Sequence, residues 1–129
     1  MVSFLTENIF EKIEEEHEEF KEMLSQMEGS TKGKAETFEE FKKELTAHIQ
    51  AEEQTLYEAM KNDKEAKEMV LVGVEEHKMG TTVLHKLGKA SGEDWNVQLL
   101  VLKHLLETHI EVEEEELGSV TPSITILNL

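Results

Sequence analysis

The sequence predicts an all-α fold: an up-down-up-down four-helix bundle over residues 1–117, followed by a short apolar tail over 118–129. Three observations predict it. Apolar residues recur at alternating steps of three and four along four segments separated by short polar stretches, which is the rhythm of a helix burying one stripe. The single proline, Pro122, lies beyond the last of these segments in a chain that is 33% charged, mostly Glu and Lys. At 129 residues the chain suits one domain, because two halves would each be too small to bury a good core.

Thr6 is placed to cap the first helix, whose apolar positions are Phe10, Ile13, Phe20, Leu24 and Met27, with position 17 the missing member. Gly29-Ser30 ends it, and a polar loop runs to Lys34. Thr37-Phe38-Glu39-Glu40 has the spacing of a capping box and opens helix 2, with a seam of Phe38, Phe41, Leu45, positions 48 and 52, and Leu56. Lys61-Asn62-Asp63 connects to helix 3, which runs to about Leu87 before Gly88. Ser91-Gly92-Glu93-Asp94 starts helix 4, carrying Trp95, Leu99, Leu102, Leu106, positions 109 and 113, and Leu117, and ending at Gly118. Short loops between helices of similar length give antiparallel neighbours.

The chain repeats itself. A shift of 61 carries Phe38, Phe41, Leu45 and Leu56 onto Leu99, Leu102, Leu106 and Leu117, and a shift of 60 carries Phe10, Leu24 and Met27 onto Val70, Leu84 and Leu87. Two helix hairpins are therefore copies of one pattern, each needing the other to bury its seam.

Composition removes several functions. There are 29 acidic residues against 13 Lys plus Arg, a net charge of −16, so neither nucleic-acid phosphates nor anionic lipid are partners. Cysteine is absent, which excludes disulfides, zinc ribbons, iron–sulfur clusters and thiol catalysis. No apolar run approaches the roughly 20 residues of a membrane span, and Met1 to Phe10 lacks a basic-then-apolar signal, so a soluble, cytoplasmic protein is expected.

Each seam is broken near its middle by a residue that resists burial: His17, His48 with Glu52, His77, and His109 with Glu113. The breaks obey the repeat, and His48-Ile49-Gln50-Ala51-Glu52-Glu53 recurs as His109-Ile110-Glu111-Val112-Glu113-Glu114. An unpaired buried carboxylate costs several kcal/mol even after relaxation, and no Lys or Arg stands at a seam position to offset it. Divalent metal ions would satisfy all six groups together. The His-x-x-x-Glu spacing puts both side chains on one helix face, and antiparallel packing brings the four mid-helix histidines to one level. A lone seam histidine is an ordinary core residue, but six polar intrusions in two matched sets are not. Imidazole and carboxylate without sulfur suit iron, manganese or zinc, and six such ligands suit two octahedral ions bridged by carboxylates.

A histidine, then His-x-x-x-Glu, occurring twice over about residues 4–117, resembles the hemerythrin-like HHE cation-binding family. The resemblance implies a non-haem di-iron centre with two iron ions, one on His17 and His48, the other on His77 and His109, and Glu52 and Glu113 as bridges. Oxygen-carrying hemerythrins place a second histidine one turn after the helix-3 ligand and space their last pair as His-x-x-x-x-Asp. Here Thr81 and His109-x-x-x-Glu113 stand instead, so the site has one ligand fewer. A ferritin-like centre needs Glu-x-x-His on two helices, and only Glu14-x-x-His17 fits.

Other residues are expected to stay outside the site. His85 lies too far along the helix axis from His77, and His104 about 140° around the helix from His109. Tyr57 is read as packing the bundle end rather than donating a hydrogen bond near the site. The runs Glu14–Glu16 and, apart from Glu113, Glu113–Glu116 are read as solvated faces rather than a path for iron. No EF-hand loop is present, and the six methionines are core filler. Gly73 and Gly80 stand where the repeat has Ile13 and Phe20, either for close helix approach or to leave space beside His77.

The function expected is binding or sensing of dioxygen or a related small oxidant at the di-iron centre. The alternatives are a di-iron peroxidase or ferroxidase, an iron- or redox-sensing interaction module, and a metal-free acidic bundle. No catalytic acid, nucleophile or substrate pocket is identifiable, which favours a binding protein over an enzyme. The uncharged, apolar tail, with Ile124, Ile126, Leu127 and Leu129, is expected to cover a bundle end or join a second copy of the chain.

Overall fold

The computed structural model describes the backbone of residues 2–29 and 33–127 and the side chains of residues 10–29 and 33–116. Its helices are α1 (Val2–Gly29), α2 (Lys34–Glu52), α3 (Lys67–Lys89) and α4 (Gly92–Leu127). From Glu52 the second helix runs on through a π-helical turn (Glu53–Tyr57) into a last α-helical turn (Glu58–Met60). No strand occurs among the described residues. Contacts join α1 to α2, α2 to α3, α3 to α4 and α4 back to α1, closing a four-helix bundle.

Four helix boundaries differ from the sequence expectation, and one of them is the start of α3, at Lys67 rather than directly after Asp63. α1 begins at Val2, so Thr6 stands inside it rather than at its cap. α2 begins three residues before the Thr37 box: Gly33, at φ 74°, turns the chain, and the Thr37 amide already donates to the Gly33 carbonyl at 2.9 Å. A glycine in the left-handed region and the helix-forming run Lys34-Ala35-Glu36 together outweigh the capping signal. α4 continues past Gly118, an isolated glycine being tolerated within a helix, and past Pro122 to Leu127. Side chains of the tail lie outside the described residues.

The apolar seams form two clusters. One gathers Phe20, Leu24, Phe41, Leu45, Leu84, Leu99, Leu102 and Leu106 with their neighbours; the other holds Ile13, Leu56, Tyr57, Met60, Ala66 and Val70. Between them lies a layer of six buried polar side chains, His17, His48, Glu52, His77, His109 and Glu113, all at 8% exposure or less. At ~25 cal/mol per Å2 of apolar surface buried, the two clusters supply the driving force that holds this polar layer out of water. No helix among the described residues is long and apolar enough to cross a membrane.

Candidate metal centre

Each helix brings its seam-breaking residues to one level, α2 and α4 contributing a His and a Glu one turn apart. The rings pair as His17 with His48, centroids 5.1 Å apart, and His77 with His109, 5.0 Å apart. The two carboxylates lie between the pairs. Glu52 is 3.3 Å from His48 Nε2 and 3.0 Å from His77 Nε2, while Glu113 is 3.3 Å from His17 Nε2 and 3.2 Å from His109 Nε2.

Each histidine is held from behind. His17 Nδ1 donates to Glu114 at 2.9 Å, His48 Nδ1 to Glu16 at 2.6 Å, His77 Nδ1 to Glu53 at 2.7 Å and His109 Nδ1 to Glu76 at 2.7 Å. A carboxylate on Nδ1 fixes the tautomer with its lone pair on Nε2 and raises the ring's basicity, as in carboxylate–histidine–metal arrangements. All four Nε2 atoms face inward accordingly. These partners obey the repeat, Glu16 corresponding to Glu76 and Glu53 to Glu114. The solvated-face reading of Glu16 and Glu114 is therefore corrected: both are half-buried and anchor imidazoles. Their signal was present in the doubled Glu-His dipeptide and the doubled His-x-x-x-Glu-Glu string.

Tyr57 also corrects its sequence reading. It is 3% exposed, donates its hydroxyl to Glu113 Oε2 at 2.6 Å, and stacks on His77 with ring planes 4° apart. In a regular α-helix a residue five after Glu52 would point about 140° away from it. The π-helical turn at Glu53–Tyr57 removes that offset and swings Tyr57 to the site. Burial, and then the charges of Glu52 and Glu113, push the phenol well above its ordinary range, so it stays protonated as a donor.

The two glycines have different reasons. A Cβ on Gly73 would stand on the Tyr57 ring and hydroxyl, so its absence admits that side chain. A Cβ on Gly80 would meet nothing, and Gly80 borders a cavity of about 20 Å3 that is also lined by all four site histidines, Phe20 and Leu106. Thr81 is exposed, so the place of a second helix-3 histidine is not taken over by the threonine; on the inner face one turn before His77, the space at Gly73 belongs to Tyr57. His85 and His104 are exposed, away from the layer.

Six site atoms are buried with no hydrogen-bond partner: Nε2 of His17, His77 and His109, both oxygens of Glu52, and Glu113 Oε1. They lie close together, His77 Nε2 being 3.0 Å from Glu52 Oε1, without hydrogen-bond geometry between them. Buried polar groups left so cost several kcal/mol unless something binds them, and a cation fits this donor set. Two groups of four could hold one: His17, His48, Glu52 and Glu113, and Glu52, His77, His109 and Glu113, each with ligand atoms within 4.8 Å of one another. Both groups contain both glutamates.

Protons substitute for part of this when metal is withheld. Burial lowers the His109 pKa, but Glu113 3.2 Å from its Nε2, the hydrogen bond to Glu76 and the charge of Glu52 outweigh it and raise it to about 9. His48 is raised in the same way, Glu52 and Glu16 overcoming burial. Burial raises Glu113, but the His109 and His17 rings, 3.2 and 3.3 Å away, hold it well below the usual carboxylate range.

Among models of known families, the hemerythrin HHE cation binding domain matches residues 8–120. Comparison with curated proteins and with solved structures gave no match.

Proposed function

The chain belongs to the hemerythrin HHE cation-binding domain family, and from that premise we propose that it holds two iron ions and uses them to bind or sense dioxygen or a related small oxidant. The observation that carries this reading is the sharing of Glu52 and Glu113 between both four-residue groups. One iron would take His17 and His48, the other His77 and His109, with the two carboxylates as bridges. Two ferrous ions held there would supply the electrons that an oxidant accepts.

The chain's own residues set the conditions around that chemistry. The apolar clusters close the layer on its two sides along the bundle axis. The Tyr57 hydroxyl keeps one oxygen of Glu113 fixed and holds a proton beside the His77 ring. The cavity at Gly80 holds about one water-sized molecule and is lined by all four histidines; glycine leaves it open on the His77 side, whereas Phe20 fills the equivalent place beside His17 and stacks edge-on against His48. A diatomic oxidant is accordingly read as binding on the His77/His109 side. Gly80→Leu should retain two irons yet react with oxygen at least ten-fold more slowly in stopped-flow absorption. Two-iron protein reacting at the parent's rate would contradict this.

The function reading is tested by loading the chain with ferrous iron without oxygen and then admitting air. New near-ultraviolet charge-transfer bands are expected, and unchanged spectra with iron bound would favour a structural metal. The tail over 118–129 is read as covering a bundle end or joining two copies. A chain ending at Gly118 should melt several degrees lower or lose an oligomer in sedimentation, and a truncated chain identical in both respects would dispose of that role.

A further inference from the structure

Two clefts descend from the surface to the histidine layer, one in each hairpin. The cleft between α1 and α2, about 400 Å3, reaches His48 and Glu52; the cleft between α3 and α4, about 490 Å3, reaches His109 and Glu113. They occupy equivalent places in the repeat, since Glu16 corresponds to Glu76, His48 to His109 and Glu52 to Glu113. Their charges are unlike. The first carries Lys12 beside Glu16, Glu19 and Glu44. The second is lined by Glu65, Glu68, Glu76 and Glu116, with no Lys or Arg among its lining residues. The two clefts are similar in volume, and only in the second are all the Lys, Arg, Asp and Glu lining residues acidic.

The acidic cleft ends on more than carboxylates. Both clefts end on buried atoms without a hydrogen-bond partner, the first on the two oxygens of Glu52 and the second on His109 Nε2 and Glu113 Oε1, whose residues are 8% and 3% exposed, so charge is what separates them. A groove of like charges with low-dielectric walls focuses the field and raises the local concentration of counter-ions. Here that gradient starts at the exposed Glu65 and Glu68 and finishes at unpartnered ligand atoms.

We propose that the α3/α4 cleft is the route by which divalent cations reach the centre, with Glu65 and Glu68 gathering them at its mouth. The proposal rests on the metal reading above. Its test is the rate at which metal-free protein takes up cobalt(II), followed by the visible bands that appear when imidazole binds the ion. In low salt, the double variant Glu65→Gln/Glu68→Gln should take up cobalt roughly five-fold more slowly than the parent, with weaker salt dependence and the same final content. The matching variant of the other cleft, Glu19→Gln/Glu44→Gln, should keep close to the parent's rate. An unchanged rate in the first variant, equal slowing in both, or a lower final cobalt content in the first would overturn the route. A parent chain that takes up no cobalt at all would overturn the metal reading together with it.

Discussion

Glu113→Ala is expected to bind one metal ion per chain or none, where the proposed centre holds two. Glu113 stands in both four-residue groups, 3.3 Å from His17 Nε2 and 3.2 Å from His109 Nε2, so its removal takes a donor from each position at once. It also leaves the buried Tyr57 hydroxyl without its acceptor, an added cost of about 1–3 kcal/mol. Glu52→Ala should behave alike, because Glu52 spans His48 and His77. His85→Ala and His104→Ala, both on the surface, should load as the parent does. Metal analysis of the purified variants checks the set. Full two-ion loading in Glu113→Ala would remove it as a bridge, and loss in either surface variant would show that the histidines were wrongly chosen.

The second large effect is the divergence of metal-loaded and metal-free stability with pH. In metal-free protein His109, raised to about 9 by Glu113, Glu76 and Glu52 against the opposing effect of burial, retains a proton that the unfolded chain releases near 6.5. Its contribution is complete below pH 6.5 and is lost as pH rises through 9, and His48 contributes in the same sense. Glu113 acts oppositely: depressed in the fold, it stabilises above about pH 4.5 and that stabilisation is lost at lower pH. Metal-free protein should therefore be most stable between pH 4.5 and 6.5 and weaken toward pH 9. Metal binding runs the other way, because its ligands must be deprotonated. The gap between the melting temperatures of loaded and chelated protein should widen by several degrees from pH 6 to pH 9. A gap that is constant or narrows with pH would mean that protons and metal do not compete for these side chains.

The extent to which the site was legible in sequence follows from which signals are periodic. The seams and their six polar interruptions recur at helical spacing and again at 60 or 61 residues, so the bundle and the polar layer are readable from one chain. Glu16, Glu53, Glu76 and Glu114 sit off the seam, where charge is ordinary, and only their pairing across helices distinguishes them from solvated glutamates. Their repeat was visible, but which histidine each one meets depends on helix rotation. Tyr57 was hidden for a different reason. Its position is inward only because the helix widens by one residue at Glu53–Tyr57, and no local propensity announces a π-helical turn. Gly73 and Gly80 looked alike in sequence and differ in fact, one accommodating a side chain from α2's continuation and the other bordering a void. The start of α2 went to Gly33 because a glycine able to take a positive φ competes with a side-chain cap, and the sequence offers both.

Anaerobic titration of metal-free protein with ferrous iron tests the central claim most directly, that Glu52 and Glu113 join two metal positions in one layer. Binding is expected to saturate at two equivalents per chain, with the spins of the two ions coupled in the magnetic spectrum. Saturation at one equivalent, two uncoupled ions, or no binding would contradict it.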